Sequence, residues 1–183
     1  WQRLKKNKLA LFGIVIILLA FIVAVLGPMI RPDGTPMAND QILEITTKEP
    51  GFSVEILKVK KNKKKPETSI WEYINVGVVN DFTSVPIYDY SFEGYNLIVE
   101  KYTGGDVNDG QVVKYNLADI VYAVDHNEIV VNNGFLDFYT IDEGKKHISI
   151  EELKKEVRDN YIVTESYVLG TDKYGRDLLS RLT

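Results

Sequence analysis

The chain has 183 residues, a formal net charge of −4, 45% hydrophobic residues and no cysteine. The missing cysteine excludes disulfides, a thiolate metal site and a cysteine nucleophile. Charge is unevenly spread: residues 37–165 hold 14 basic and 23 acidic side chains, which argues against nucleic acid as their partner.

Arg3, Lys5, Lys6 and Lys8 open the chain with no acidic residue among them, and 22 uncharged residues follow at 9–30. Wound as a helix, that run reaches ~33 Å, enough for a hydrocarbon core of ~30 Å. It has no polar stripe of the kind that a helix on a soluble domain carries. Positive flanks stay on the cytoplasmic side. The pattern therefore predicts a cytoplasmic basic tip at 1–8, a transmembrane helix at 9–30, and everything after it outside the plasma (inner) membrane. A cleavable signal peptide is the competing reading. Its apolar core is usually ~7–15 residues and ends in a small-x-small site, and Val25-Leu26-Gly27-Pro28 is a poor one. A retained anchor is preferred.

Residues 37–165, about 130 in number, suffice for one compact domain. Period-two alternation predicts short strands at 52–56, 70–76, 95–100, 112–115, 120–124, 129–131 and 135–141. Turn chemistry separates them at 104–106, 108–110 and 125–127, and Asn133-Gly134 is a two-residue hairpin signal. One helix interrupts: Ser149 to Glu152 is a capping box, with Ile150, Leu153, Val157 and Tyr161 on one face. The expected fold class is one N-terminal transmembrane helix plus a mainly-β, antiparallel extracytoplasmic domain with one or two short helices.

Candidate chemistry in this domain is thin. Six lysines between 58 and 65 invite a polyanion site, but no aromatics interleave them, and an exposed hairpin tip between strands near Ile56 and Trp71 is preferred. Asp106 to Gly110 resembles a calcium loop only faintly, because its glycine comes one residue early; it reads as a turn. His126 in a turn and His147 in a loop have no second histidine at ligand spacing. No phosphate-cradling glycine loop or Gly-x-Ser-x-Gly elbow occurs. The expectation is no enzyme, with no catalytic residue, metal or cofactor.

The last residues are more informative. Gly170 predicts a turn, and Thr171 or Asp172 a cap for a helix whose early turn contains Gly175. Leu178, Leu179 and Leu182 would form its apolar face, with Asp177 and Arg181 placed for an ion pair. On physics alone, a membrane-interface helix and a helix docked on the sheet stand level.

Leu169-Gly170-Thr171-Asp172-x-x-Gly175-Arg176-Asp177-x-x-Ser180-Arg181 resembles the signature of OppC/DppC-type permease subunits of oligopeptide/dipeptide ABC transporters. The opening Asn7-Lys8-Leu9-Ala10-Leu11-Phe12-Gly13, followed by Pro28-x-Ile30-x-Pro32, is similar to the same subunits. The resemblance implies a transport subunit, with a second permease subunit, cytoplasmic ATPase subunits, an extracytoplasmic peptide-binding protein and membrane lipid as partners. It puts the motif segment at 166–183 outside, leading to a second span, and so reads the chain as a fragment. It does not cover the long β-rich insertion. The rival class is a single-pass anchored β domain with an adhesion or envelope-assembly role.

Overall fold

The computed structural model describes residues 7–30, 32–33, 35, 38–64, 69, 80–106 and 108–182, without the side chains of 25, 27–30 and 126–128. Helix α1 runs over Lys8–Ile30. Asn7 caps it, its side-chain oxygen accepting the Leu9 and Ala10 amides at 3.2 and 3.3 Å. Large apolar side chains stand exposed round the helix from Leu9 to Leu26. Among the described residues no helix is long and apolar enough to cross a membrane. The membrane span of α1 therefore stands as a proposal.

The rest is mainly antiparallel β with a few short helices. The strands are β1 Phe52–Lys60, β2 Phe82–Glu93, β3 Asn96–Lys101, β4 Val112–Asn116, β5 Val124–Asn132, β6 Phe135–Thr140, β7 Gly144–Ser149 and β8 Ile162–Tyr167. Among the described residues, short helices accompany them: a single helical turn at Leu43–Ile45, α2 Leu117–Val121, α3 Ile150–Glu156 with a wider turn continuing to Tyr161, and α4 Leu178–Leu182. One sheet has the order β4-β3-β2-β1-β8, the other β5-β6-β7, and all neighbours are antiparallel.

β1 explains how the large sheet is covered on both faces. Leu57 joins Val85, Leu97, Val99, Leu136, Phe138, Leu153 and Val157 in the main core, which fills the space between the two sheets, α2 and α3. Val54 and Ile56 point the other way and pack with Ile42, Ile45 and Tyr167 in a second, smaller cluster. A strand buried on both faces loses strict alternation, as β1 does.

Several expectations change here. Residues 120–124 are not one strand: Leu117 to Val121 form α2, and β5 begins at Val124. The Asn116 side chain accepts the Ala118 amide at 2.9 Å and starts the helix. Burial of Leu117, Ala118, Ile120 and Val121 hides its period. Asp125 and His126 lie within β5, where the ladder to β6 shifts register between Asp125 and Val130. His147 lies in β7, not in a loop. β2 was not singled out from the sequence; Pro86 interrupts its alternation and a register shift follows between Ile87 and Asp89. The strand expected at 70–76 lies outside the described residues. The Asn133-Gly134 hairpin stands, both residues at positive φ (47° and 82°). So does the Ser149 cap, which accepts the Glu152 amide at 3.2 Å.

Candidate functional site at the carboxyl-terminal motif

Positions 170–177 are a loop, not the start of a helix. Gly170 and Gly175 sit at φ +77° and +72°, which interrupts helix geometry twice, and Thr171 bridges Asp177 across the loop. Asp172 organises the loop from inside. Its Oδ1 accepts the Tyr174 and Arg176 amides at 2.8 and 3.1 Å, and its Oδ2 accepts Arg176 Nε at 2.8 Å. Asp177, rather than Thr171 or Asp172, caps α4. Its two oxygens take the Leu179 and Ser180 amides at 3.3 and 3.0 Å, and Ser180 Oγ donates to it as well. Arg176 pairs with Asp172, and among the described residues no ion pair joins Asp177 to Arg181. Arg181 and Leu182 point to solvent, Leu182 with 75% of its surface exposed.

The loop is held by the stretch that follows α1. Thr171 Oγ1 accepts the Lys48 amide at 2.8 Å and donates to the Ile45 carbonyl, while the Thr171 amide donates to the Lys48 carbonyl at 3.1 Å. The Thr47 amide reaches the Asp172 carbonyl at 3.0 Å, and Arg176 Nη1 reaches Asn39 Oδ1 at 3.1 Å. Asp33 donates its amide to Ser180 Oγ at 2.9 Å. Gly170 lies against the Lys48–Glu49 backbone and Gly175 against that of Ile42, leaving no room for a Cβ. Sequence reading missed Asn39, Ile42, Ile45 and Lys48 as partners. Two glycines among Thr171, Asp172 and Asp177 were the available signal, since that mixture is turn chemistry.

A cleft of about 470 Å³ opens between this unit and the large sheet, walled by Asp33, Asp40, Ile42 and Asp177 on one side and Lys58, Phe82, Glu165 and Tyr167 on the other. Burial pushes the Asp40 carboxyl above its usual range; Ser84 and Asn80 hydrogen bonds oppose this, and Asp33 and Glu165 reinforce it. Burial and Glu165 likewise raise Tyr167. Burial also disfavours the Asp172 carboxylate, yet the Arg176 side chain, the two amides and the guanidinium charge together outweigh it and hold the group below its usual value.

These two carboxyls have opposite linkage. Asp40, raised, weighs against the fold above its folded pKa, so stability rises as pH falls through that value. Asp172, depressed, contributes stability above its unfolded pKa that is lost as pH falls through its lower folded pKa. A thermal-midpoint profile is expected to climb on mild acidification and fall again below about pH 4. Asp40→Asn should flatten the climb and leave the acid-side fall; an unchanged climb would remove Asp40 as its source.

The other sequence candidates are structural. Lys58 pairs with Glu165 at 3.0 Å, Lys60 with Asp81 at 3.4 Å, and Lys61 donates to the Asn80 carbonyl at 2.9 Å, which spends half the lysine run inside the fold. Asn108 sits at φ +74° and Gly110 donates to Glu100 at 3.0 Å, a turn. His147 Nδ1 meets Asp137 at 2.8 Å and its ring stacks on Phe135 at 4.6 Å. Among the described residues no group of three or more His, Asp or Glu is placed to hold a metal. Lys8 is the first residue of α1 and exposed; Arg3, Lys5 and Lys6 lie outside the described residues.

Residues 1–45 match the family described as "N-terminal TM domain of oligopeptide transport permease C". The "Dipeptide transport system permease protein DppC" of Bacillus subtilis (strain 168) is 56% identical over 32 residues, 18% of this chain and 10% of that protein. The match thus spans about a tenth of the curated relative's length. No solved structure matches. Residues 1–45 are thus similar to the amino-terminal region of OppC/DppC-type permeases, in line with the resemblance carried by residues 7–13 and 28–32. Its matched end, at 38–45, is the stretch on which the motif loop folds.

Proposed function

We propose that this chain is the amino-terminal part of a membrane permease subunit of a peptide-type ABC importer. α1 is its first span, the amino terminus is cytoplasmic, and the β body stands outside. The match over residues 1–45 carries the reading. The exposed apolar circumference of α1 supports it, because such a surface is stable against lipid or neighbouring membrane helices. ATP hydrolysis belongs to cytoplasmic ATPase subunits, and the peptide arrives from an extracytoplasmic binding protein. With a second permease subunit, the spans move the peptide by alternating access. The β body extends the outer surface that the binding protein meets. For deletion the β body, 37–165, is taken as 50–167, which spares the hydrogen bonds that residues 38–48 make to the motif loop.

A membrane-impermeant maleimide applied to intact cells tests the topology. Lys63→Cys, on the exposed lysine turn, is expected to label. Gln2→Cys, in the basic tip, is expected to label only after permeabilisation. The reverse pattern would overturn the orientation. Replacing residues 50–167 by a short linker should weaken association with the binding protein; unchanged association would refute the role given to the β body.

A further inference from the structure

Both ends of the β body return to one place. The Gly51 amide donates to the Tyr167 carbonyl at 2.9 Å, and β1 and β8 pair from Phe52 with Tyr167 onward. One step nearer α1, Lys48 and Thr171 exchange hydrogen bonds. Beyond them Asp33, three positions after the last residue of α1, reaches Ser180 in α4. We infer that residues 33, 35 and 38–48, together with 170–182, form a clamp that fixes the outer end of α1 to α4. Gly170, Thr171, Asp172, Gly175, Asp177 and Ser180 are positioning residues for that junction, not contacts for the transported molecule. The inference rests on the reading of α1 as a membrane helix.

Apart from Arg181, which is exposed, the polar side chains of the motif spend their hydrogen bonds inside the clamp. Asp172 serves two amides and a guanidinium, Asp177 two amides and a hydroxyl. Thr171 accepts from one backbone group and donates to another, and Ser180 links Asp33 to Asp177. Gly170 and Gly175 face backbone. Thr171, Asp177 and Ser180 are buried. Residues so engaged offer a passing peptide nothing unless the clamp opens. Ile42 and Ile45, packed on Val54, Ile56 and Tyr167, also seat the β body on the clamp. The β body is a closed excursion carried by one corner of the outer face, and this corner stays shut while the permease alternates.

The absence of cysteine from this sequence makes paired thiols a direct probe. Asp33→Cys with Ser180→Cys, in the membrane-embedded permease, is expected to be joined by a short bis-methanethiosulfonate bridge and to leave peptide uptake unchanged. A bridge is used because the contact runs from the Asp33 amide while its side chain turns to the Thr35 and Asp40 amides. Ser53→Cys with Ser166→Cys is the reference pair, the native hydroxyls being 2.8 Å apart. Gly175→Ala alone should lower uptake by roughly tenfold or more, as misplaced functional geometry does. The 33–180 bridge should restore it, and a reductant, which cleaves the bridge from both thiols, should remove the rescue, which a purely local folding defect would not show.

Failure of the reagent to bridge 33 and 180 while it bridges the reference pair would overturn the clamp, as would loss of uptake on bridging. Should Ser180→Cys not fold, hydrogen exchange of the unsubstituted protein decides. The Thr47, Lys48 and Thr171 amides are expected to exchange as slowly as those of β1, and loop-like exchange would refute the clamp. A closed 33–180 bridge in a chain whose position 63 stays unlabelled from outside would retain the clamp and discard the permease topology.

Discussion

Gly175→Ala is expected to cost about 3 kcal/mol or more, a fall of roughly 6–12 °C in thermal midpoint for a chain of this size. Two causes add. A residue with a Cβ is strained at φ +72°, and the new Cβ would overlap the Ile42 carbonyl oxygen and stand 2.6 Å from its carbonyl carbon. Backbone on both sides cannot rotate away as the end of a flexible side chain could. Gly51→Ala separates the causes, since Gly51 has φ +84° but nothing within 4 Å of the added Cβ. It should lose only about 1 kcal/mol. The difference between the two variants, read by thermal denaturation, measures the closeness of the motif loop to the stretch after α1. Equal losses would mean that the loop does not press on Ile42.

The parts legible in the sequence were those whose signal is local. The Asn133-Gly134 turn, the Ser149 cap and the alternation of β3, β4 and β6 each depend on a few adjacent residues, and each appears where expected. α2 does not announce itself because four of its five residues are buried, and Asp119 alone makes too short a polar face to mark a helix. β7, with Lys145, Lys146 and His147 exposed or half-buried at an edge, carries too little apolar alternation to announce a strand. The motif failed for a different reason. Its residue types were recognised, but their partners lie more than a hundred positions away, as the separations of 123 for Lys48–Thr171 and 137 for Asn39–Arg176 indicate. Local reading gave Asp172 a helix to cap. Distant backbone, supplied by the return of β8 beside β1, made it the centre of a loop and left capping to Asp177.

Phe138→Ala should produce the largest loss inside the β body, about 3–5 kcal/mol. Phe138 is 1% exposed, lies on β6 and contacts the Tyr122 ring at a centroid distance of 5.5 Å. It belongs to the core that joins the three-stranded sheet to the five-stranded one. Truncation leaves a void among Leu, Val and Ile side chains fixed by two sheets and two helices, so the walls can close only partly. The loss should appear as a lower denaturant midpoint, with hydrogen exchange accelerating first in β5, β6 and β7. Amides of the clamp should keep more protection, because Ile42, Ile45, Val54, Ile56 and Tyr167 form a separate cluster on the far face of the large sheet. Val130→Ala, half-exposed on the same small sheet, is the control and should cost far less. If clamp and small sheet lose protection together after Phe138→Ala, the two clusters form one cooperative unit, and the β body could not then be removed without undoing the junction beneath it.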